Sequence, residues 1–272
     1  MELKTKLYIL GMKDNFRGDK LVESIARNSL DYEVCWGIPI SEVDQLSYFR
    51  NEQKSLFLYG RDLQSSEISC TLGHRAILLK AYQDCVDTAV ILEDDVIVNN
   101  FNRLIENIGE SNLQAQPTLT LLLADPRLCL TLKSLRANFK KRNYRIFSNP
   151  SPTSAYLLNS AAISSLVKLP DSHWQGVQAD FPMIFSKVLN LVDASESQDS
   201  TPIVLAKVES TISKASPIRT NPARKNYSIL RRVFSHTIPF SEKMRFGVRP
   251  LVYHFVGRSL AWRLREDRMP TE

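Results

Sequence analysis

Four consecutive apolar residues, Ala89-Val90-Ile91-Leu92, run directly into three carboxylates, Glu93-Asp94-Asp95. No other feature constrains the chain as much. An apolar run without polar alternation marks a strand covered on both faces. Such strands belong to parallel sheets with helices packed above and below. In open sheets of this kind ligands bind beyond the carboxyl ends of the strands, where the acidic triplet falls. Neighbouring like charges repel, and burial raises carboxyl pKa values. A divalent cation relieves both strains, and Mg2+ or Mn2+ takes one or two carboxylates together with substrate phosphates. Successive strand residues alternate faces, so Glu93 is expected to point away from its neighbours, toward a ribose or a helix dipole. The competing reading is an exposed acidic turn, because charge runs are mostly solvated.

The flanking sequence supports the sheet. Lys6 to Leu10 reads as a buried strand ending at Gly11, and Tyr32 to Trp36 as a second ending at Gly37. Between them, Leu21, Val22, Ile25, Ala26 and Leu30 fall at helical spacing. The result is a β-α-β unit with a right-handed crossover. Residues 41–65 are polar and irregular by pattern. A helix is expected over 66–82, apolar on every side and therefore deeply buried. Strands are expected at 118–123, 155–158 and 202–206, with helices at 161–169 and about 182–189. At 272 residues and 43% apolar, the chain can bury a large core. The predicted organisation is an α/β catalytic domain over 1–206 and a basic, helical extension over 207–272 packed on it.

Charge is uneven. From Lys207 onward there are 14 Lys/Arg against 5 Asp/Glu, whereas the whole chain carries a formal net charge of +6. A basic tail on a near-neutral body points to an anionic partner. Arg258, Arg263, Arg265 and Arg268 interleave with Leu260, Trp262 and Leu264. Two readings stand: an amphipathic helix on acidic lipid, or a solvated helix packed on the domain. No RNP-like, helix-turn-helix or zinc-finger pattern accompanies the charge, so nucleic acid is not an expected partner. Cys35, Cys70, Cys85 and Cys129 form no CxxC pair. That excludes a disulfide scaffold or zinc ribbon and suits a reducing cytoplasm. The uncharged stretch from Ile146 to Val167 holds two prolines and many serines, unlike a membrane span. The apolar run from Leu7 to Met12 is too short for a secretory signal.

The block from Cys70 to Val98, with C-T-L-G-H-R-A-I-L-L-K followed by A-V-I-L-E-D-D-V-I-V, resembles glycosyltransferase family 25, the lipooligosaccharide galactosyltransferase family of Gram-negative bacteria. Gly73 stands where that family usually has Ser before the His. Leu7 to Leu10 resembles its opening strand, and Lys13 and Arg17 loosely fit the basic pattern that follows. Thr153-Ser154-Ala155-Tyr156-Leu157-Leu158 and Asp180 with Met183 resemble later segments. The resemblance runs in order over residues 6–185. It implies a nucleotide-diphosphosugar (GT-A-like) fold and transfer of a hexose, commonly galactose, from a UDP-sugar to an anionic glycolipid or glycan acceptor. It further implies a metal-dependent, inverting reaction and peripheral contact with the inner face of the inner membrane.

Roles follow from the resemblance. Asp95 and Asp94 would hold Mn2+ or Mg2+, which stabilises the leaving diphosphate. Glu93, Asp94, His74, Lys13 and Arg17 would line the donor site, and Trp174 and Tyr156 the acceptor site. Asp180 would take the acceptor proton. Each has a plainer alternative: an N-cap carboxylate for Asp180, a core aromatic for Trp174, and a core histidine for His74. His254, between two aromatics, is either a distant metal ligand or structural. Two other classes compete with the transferase: another metal-dependent enzyme of nucleotide sugars, and a non-catalytic glycan- or membrane-binding protein.

Overall fold

The computed structural model describes residues 3–123 except 44, 47–49 and 60–61, and then 144–145, 154–178, 189–193 and 203–205. Within these, β1 (Thr5–Gly11), α1 (Asp19–Arg27) and β2 (Tyr32–Trp36) form the expected β-α-β unit. Two short helices, α2 (Ile40–Val43) and α3 (Glu52–Tyr59), lead to α4 (Ser65–Gln83). Then follow β3 (Thr88–Glu93), β4 (Val96–Val98), α5 (Phe101–Asn112) and β5 (Thr118–Leu121). The remainder comprises β6 (Tyr144–Arg145), β7 (Ala155–Asn159), α6 (Ser160–Val167), α7 (Asp171–Trp174), β8 (Asn190–Asp193) and β9 (Ile203–Leu205).

Seven strands form one sheet in the order β2-β1-β3-β7-β5-β8-β6. β2, β1 and β3 are parallel, as are β5 and β8, while β7 runs antiparallel between β3 and β5 and β6 antiparallel to β8. The sheet is therefore mixed and mostly parallel, in an α/β fold. Because β7 is reversed, its first residues lie beside the carboxyl end of β3. Alternation along the strands feeds two cores. Tyr8, Leu10, Ala89, Ile91 and Tyr156 pack with α4 and α6. Leu7, Ile9, Val90, Leu92 and Leu157 pack on the other face with α1, α5 and β4. This explains the unbroken apolar run, since both faces of β3 are covered.

At the start of α4 the Glu67 carboxylate accepts from the Gln64 backbone N–H at 2.9 Å, and the Glu67 N–H donates to the Gln64 carbonyl at 3.0 Å. The helix ends where Cys85 takes φ 52°, the left-handed conformation that stops a helix. Gly73 lets α4 lie close on β1, because a Cβ there would meet Leu10 Cδ1 at 2.8 Å. Its last turns are less enclosed than the all-round apolar pattern predicts, as Leu79 and Tyr82 are exposed.

Other expectations need correction. Residues 41–65 contain α2 and α3. A further helix, α5, is not among the expected elements; Asn100 caps its start by accepting from Arg103 N at 2.9 Å. The late strand expected at 202–206 is described over Ile203–Leu205 and joins a separate two-stranded sheet with β4. The helix expected at about 182–189 lies outside the described residues except for Leu189, which is buried just before β8, and the extension 207–272 lies outside them, as do Asp180, Cys129 and His254. Among the described residues no helix is long and apolar enough to cross a membrane.

At the amino end of β1, Lys6 Nζ reaches Glu33 at 2.6 Å and Asp84 at 2.9 Å, Lys80 Nζ reaches Asp84 at 2.8 Å, and Tyr8 donates its hydroxyl to Asp84 at 2.9 Å. Hydrogen bonds from Lys80, Lys6 and Tyr8 hold the Asp84 carboxyl well below its usual range despite desolvation. A carboxylate with a lowered folded pKa contributes stability above its unfolded pKa, lost as pH falls through the folded value. Asp84→Asn should therefore lower the urea midpoint at pH 7, and the deficit should narrow below about pH 4. A deficit unchanged from pH 7 to pH 3 would show that the ion-pair network is not its source.

Candidate active site

β1, β2 and β3 end side by side, with Gly11 in register with Trp36 and Leu10 with Glu93. The chain turns away from each end differently. After β1 comes a 3-10 turn, Lys13–Asn15, then Phe16, Arg17 and Gly18 before α1. After β3 comes the tight acidic turn into β4. Gly11 and Gly18 permit this approach. A Cβ on Gly11 would stand 2.4 Å from Phe16 Cδ2 and 3.2 Å from Asp94 Oδ2, and one on Gly18 2.6 Å from Phe16 Cζ.

Glu93, the last residue of β3, is set apart from Asp94 and Asp95, which follow in the turn and both lie beside Arg17. Glu93 points to the α4 side. His74 Nε2 lies 3.3 Å from its Oε1, Ser154 donates to its Oε2 at 3.0 Å, and Cys70 Sγ lies 3.9 Å from Oε1. Burial opposes the charge, but the hydrogen bond and charge of His74, the Ser154 hydrogen bond and the charge of Arg17 outweigh it and lower the Glu93 pKa. An ionised Glu93 only accepts. His74 Nε2 therefore carries the proton toward Glu93, and Nδ1 lies 2.8 Å from the Tyr156 hydroxyl. Burial, with Cys70 and Glu93 nearby, raises the Tyr156 phenol well above its usual pKa, so it stays protonated and able to donate.

Asp94 and Asp95 meet Arg17. The Arg17 backbone N–H donates to Asp94 Oδ2 at 3.2 Å, and its NH2 donates to Asp94 Oδ1 at 2.9 Å. The same NH2 is 3.6 Å from Asp95 Oδ2. Asp94 is 6% exposed, and both of its oxygens are engaged. Asp95 is left short. Its Oδ1 is buried with no hydrogen-bond partner among the described residues, and so are Arg17 Nε and NH1. Burial, with Glu93 and Asp94 beside it, pushes the Asp95 carboxyl up to about 6 against the opposing charge of Arg17.

The remaining candidates fall differently. Lys13 is exposed on the 3-10 turn near this site. Trp174 and Tyr156 are each 6% exposed and packed in the core beside α4 and α6. Their rings are enclosed among the described residues. His74 is both a core residue, 3% exposed, and a partner of the acidic motif. Asp180 lies outside the described residues. Sequence reasoning missed Trp36, which stays 48% exposed at the end of β2 with its ring edge-to-face against Phe16 at 5.3 Å. A large aromatic as the last residue of a predicted strand was the available signal. It also missed Ser154, whose role depends on β7 running antiparallel beside β3.

The family description "Glycosyltransferase family 25 (LPS biosynthesis protein)" matches residues 4–183. The chain belongs to glycosyltransferase family 25. The match spans β1 through the segment after α7 and includes every candidate site residue named above except His254. No curated protein matches the chain. Among solved structures, similarity is found to a glycosyltransferase involved in the glycosylation of the major capsid of PBCV-1, at 10% identity and TM-score 0.41, covering 76% of this chain and 96% of that one. A197 from STIV is similar at 11% identity and TM-score 0.37, with coverages of 76% and 96%. Mouse xyloside xylosyltransferase 1 is similar at 12% identity and TM-score 0.36, with coverages of 74% and 84%.

Proposed function

We propose that this member of glycosyltransferase family 25 transfers a hexose, galactose first among candidates, from a UDP-sugar to a lipooligosaccharide or related surface-glycan acceptor, with inversion. One observation carries the reading. Beyond the carboxyl ends of β1 and β3 a buried carboxylate oxygen of Asp95 and two buried guanidinium nitrogens of Arg17 have no hydrogen-bond partner among the described residues. Buried polar groups without partners are costly, and a metal-bound diphosphate would satisfy both kinds at once: an acidic oxygen for the cation, N–H donors for the phosphates.

The residues fit a hard divalent cation such as Mn2+ or Mg2+. Asp95 is its ligand in this reading, while Asp94 is first the anchor of Arg17. When bound, such a cation stabilises the charge that develops on the leaving diphosphate. The rest belongs to the chain. Arg17 binds the diphosphate through Nε and NH1 while Asp94 fixes its fork. Trp36 offers an aromatic face beside Gly11 for the uracil ring. Glu93, held by His74 and Ser154, fixes the start of the acidic turn. Asp180 takes the proton of the acceptor hydroxyl. The basic stretch beyond Lys207 suits an anionic acceptor and the membrane surface where it resides.

Thermal melting against a panel of UDP-sugars, each with Mn2+ and with chelator, tests the site. At about a hundredfold excess over Kd the matching donor should stabilise by about 2.7 kcal/mol, roughly 5 °C, and chelation should remove the shift. No shift with any nucleotide sugar would overturn the donor site and favour the non-catalytic reading.

A further inference from the structure

On the α4 side of the sheet, Cys70 and His74 stand one helical turn apart and meet Glu93 at the end of β3. Their potential ligand atoms, Cys70 Sγ, one His74 ring nitrogen and one Glu93 oxygen, all lie within 4.8 Å of one another. We propose that these three side chains bind a thiophilic divalent cation of the Zn2+ class, at a site separate from the hard cation assigned to Asp95.

Geometry supports it first. Zn2+ bonds of about 2.3 Å to sulfur and about 2.0–2.1 Å to nitrogen or oxygen, at tetrahedral angles, set ligand atoms about 3.3–3.6 Å apart. His74 Nε2 to Glu93 Oε1 is already 3.3 Å, and Cys70 Sγ to the same oxygen is 3.9 Å. Movement of the Cys70 side chain by about 1 Å closes the set. Residues at i and i+4 share a helix face, so α4 presents both ligands without rearranging its backbone.

The surroundings supply what metal ligands require. A ligating histidine usually holds its second nitrogen in a hydrogen bond that fixes the ring, and His74 Nδ1 is 2.8 Å from the Tyr156 hydroxyl. The second Glu93 oxygen accepts from Ser154 at 3.0 Å. His74 is buried, whereas Cys70 and Glu93 are partly exposed, so a cation and a fourth, water ligand can enter. Sulfur, nitrogen and oxygen donors together favour Zn2+ over Mg2+ or Mn2+. The proton balance is simple. The Cys70 thiol gives up its proton to solvent and Nε2 is freed of its proton to bind the cation, while Nδ1–H donates to the Tyr156 oxygen.

Co2+ alone, added to the chelator-stripped full chain, is the probe. The expected result is one equivalent bound with a near-ultraviolet thiolate-to-cobalt band and the visible bands of a tetrahedral site, displaced by Zn2+. Cys70→Ser should abolish the thiolate band, and Cys35→Ser, Cys85→Ser and Cys129→Ser should each keep it. His74→Gln, which retains the thiol, should lose the tetrahedral visible bands. Circular dichroism in chelator checks that both site variants are folded. No band in the parent protein, or a thiolate band surviving in Cys70→Ser, overturns the site. No nucleotide sugar is present, so the outcome is independent of the donor-site reading.

Discussion

Asp95→Asn is expected to melt higher than the parent protein at pH 7.5 in chelator while losing transfer activity. The stability gain follows from the carboxyl being pushed up to about 6 by burial and by Glu93 and Asp94. The unfolded chain gives up this proton near pH 3.9, so above that value folding works against an unfavourable charge. The penalty grows as pH rises from about 4 to about 6 and is constant thereafter. A shift of about 2 units bounds it at about 3 kcal/mol, and about 1–3 kcal/mol is expected after local relaxation. The neutral amide removes it. The gain should therefore be full at pH 7.5 and vanish near pH 4, as read from urea midpoints at both values. Turnover should fall about 10²–10³-fold, as expected if several kcal/mol of leaving-group stabilisation depend on this oxygen. Mn2+ should stabilise the parent and not the variant. A variant less stable than the parent at pH 7.5 would show that the carboxylate is not strained as described. Functional sites commonly trade stability for activity in this way.

Much of this frame is legible in the sequence because β1, β3 and β7 are continuous apolar runs, and burial on both faces leaves no other pattern open to them. The strand end that sets Glu93 apart from Asp94 and Asp95 is equally local. What was not legible depends on distant partners or weak periods. α3 gathers its apolar residues at one end, Leu56 to Tyr59, so it shows no helical stripe. α5 does carry Leu104 and Ile108, but the fold also buries Arg103, Asn107 and Ser111, which read as surface. β4 has three residues and pairs with β9, more than a hundred positions along the chain. The division of labour between Asp94 and Asp95 is set by Arg17, 77 residues before Asp94. The role of His74 is set by Tyr156, 82 residues after it. Such pairings are consequences of the sheet order and have no local signature.

Arg17→Ala is the variant expected to destabilise most. Arg17 makes two hydrogen bonds to Asp94, one from its backbone and one from its guanidinium, and its NH2 also lies beside Asp95. Removing the side chain leaves Asp94 with only the backbone N–H of residue 17 and leaves two adjacent buried carboxylates uncompensated. Breaking a buried ion pair from one side costs about 3–5 kcal/mol. Because the Arg17 side chain is 22% exposed, about 3 kcal/mol is expected here. Arg17→Ala combined with Asp94→Asn should recover much of the loss, since the neutral pair no longer buries an unmatched charge; the interaction energy from that cycle measures the pair itself. Arg17→Lys should not restore function even if it restores stability, because an ammonium cannot hold Asp94 and present further donors in a fixed plane. The functional prediction is a split. If Arg17 clamps the diphosphate, Arg17→Lys raises the donor KM and lowers kcat together. If its role is only to hold the acidic turn, the lysine variant recovers both. Stability of Arg17→Ala within about 0.5 kcal/mol of the parent would show that the pair with Asp94 is not formed in solution.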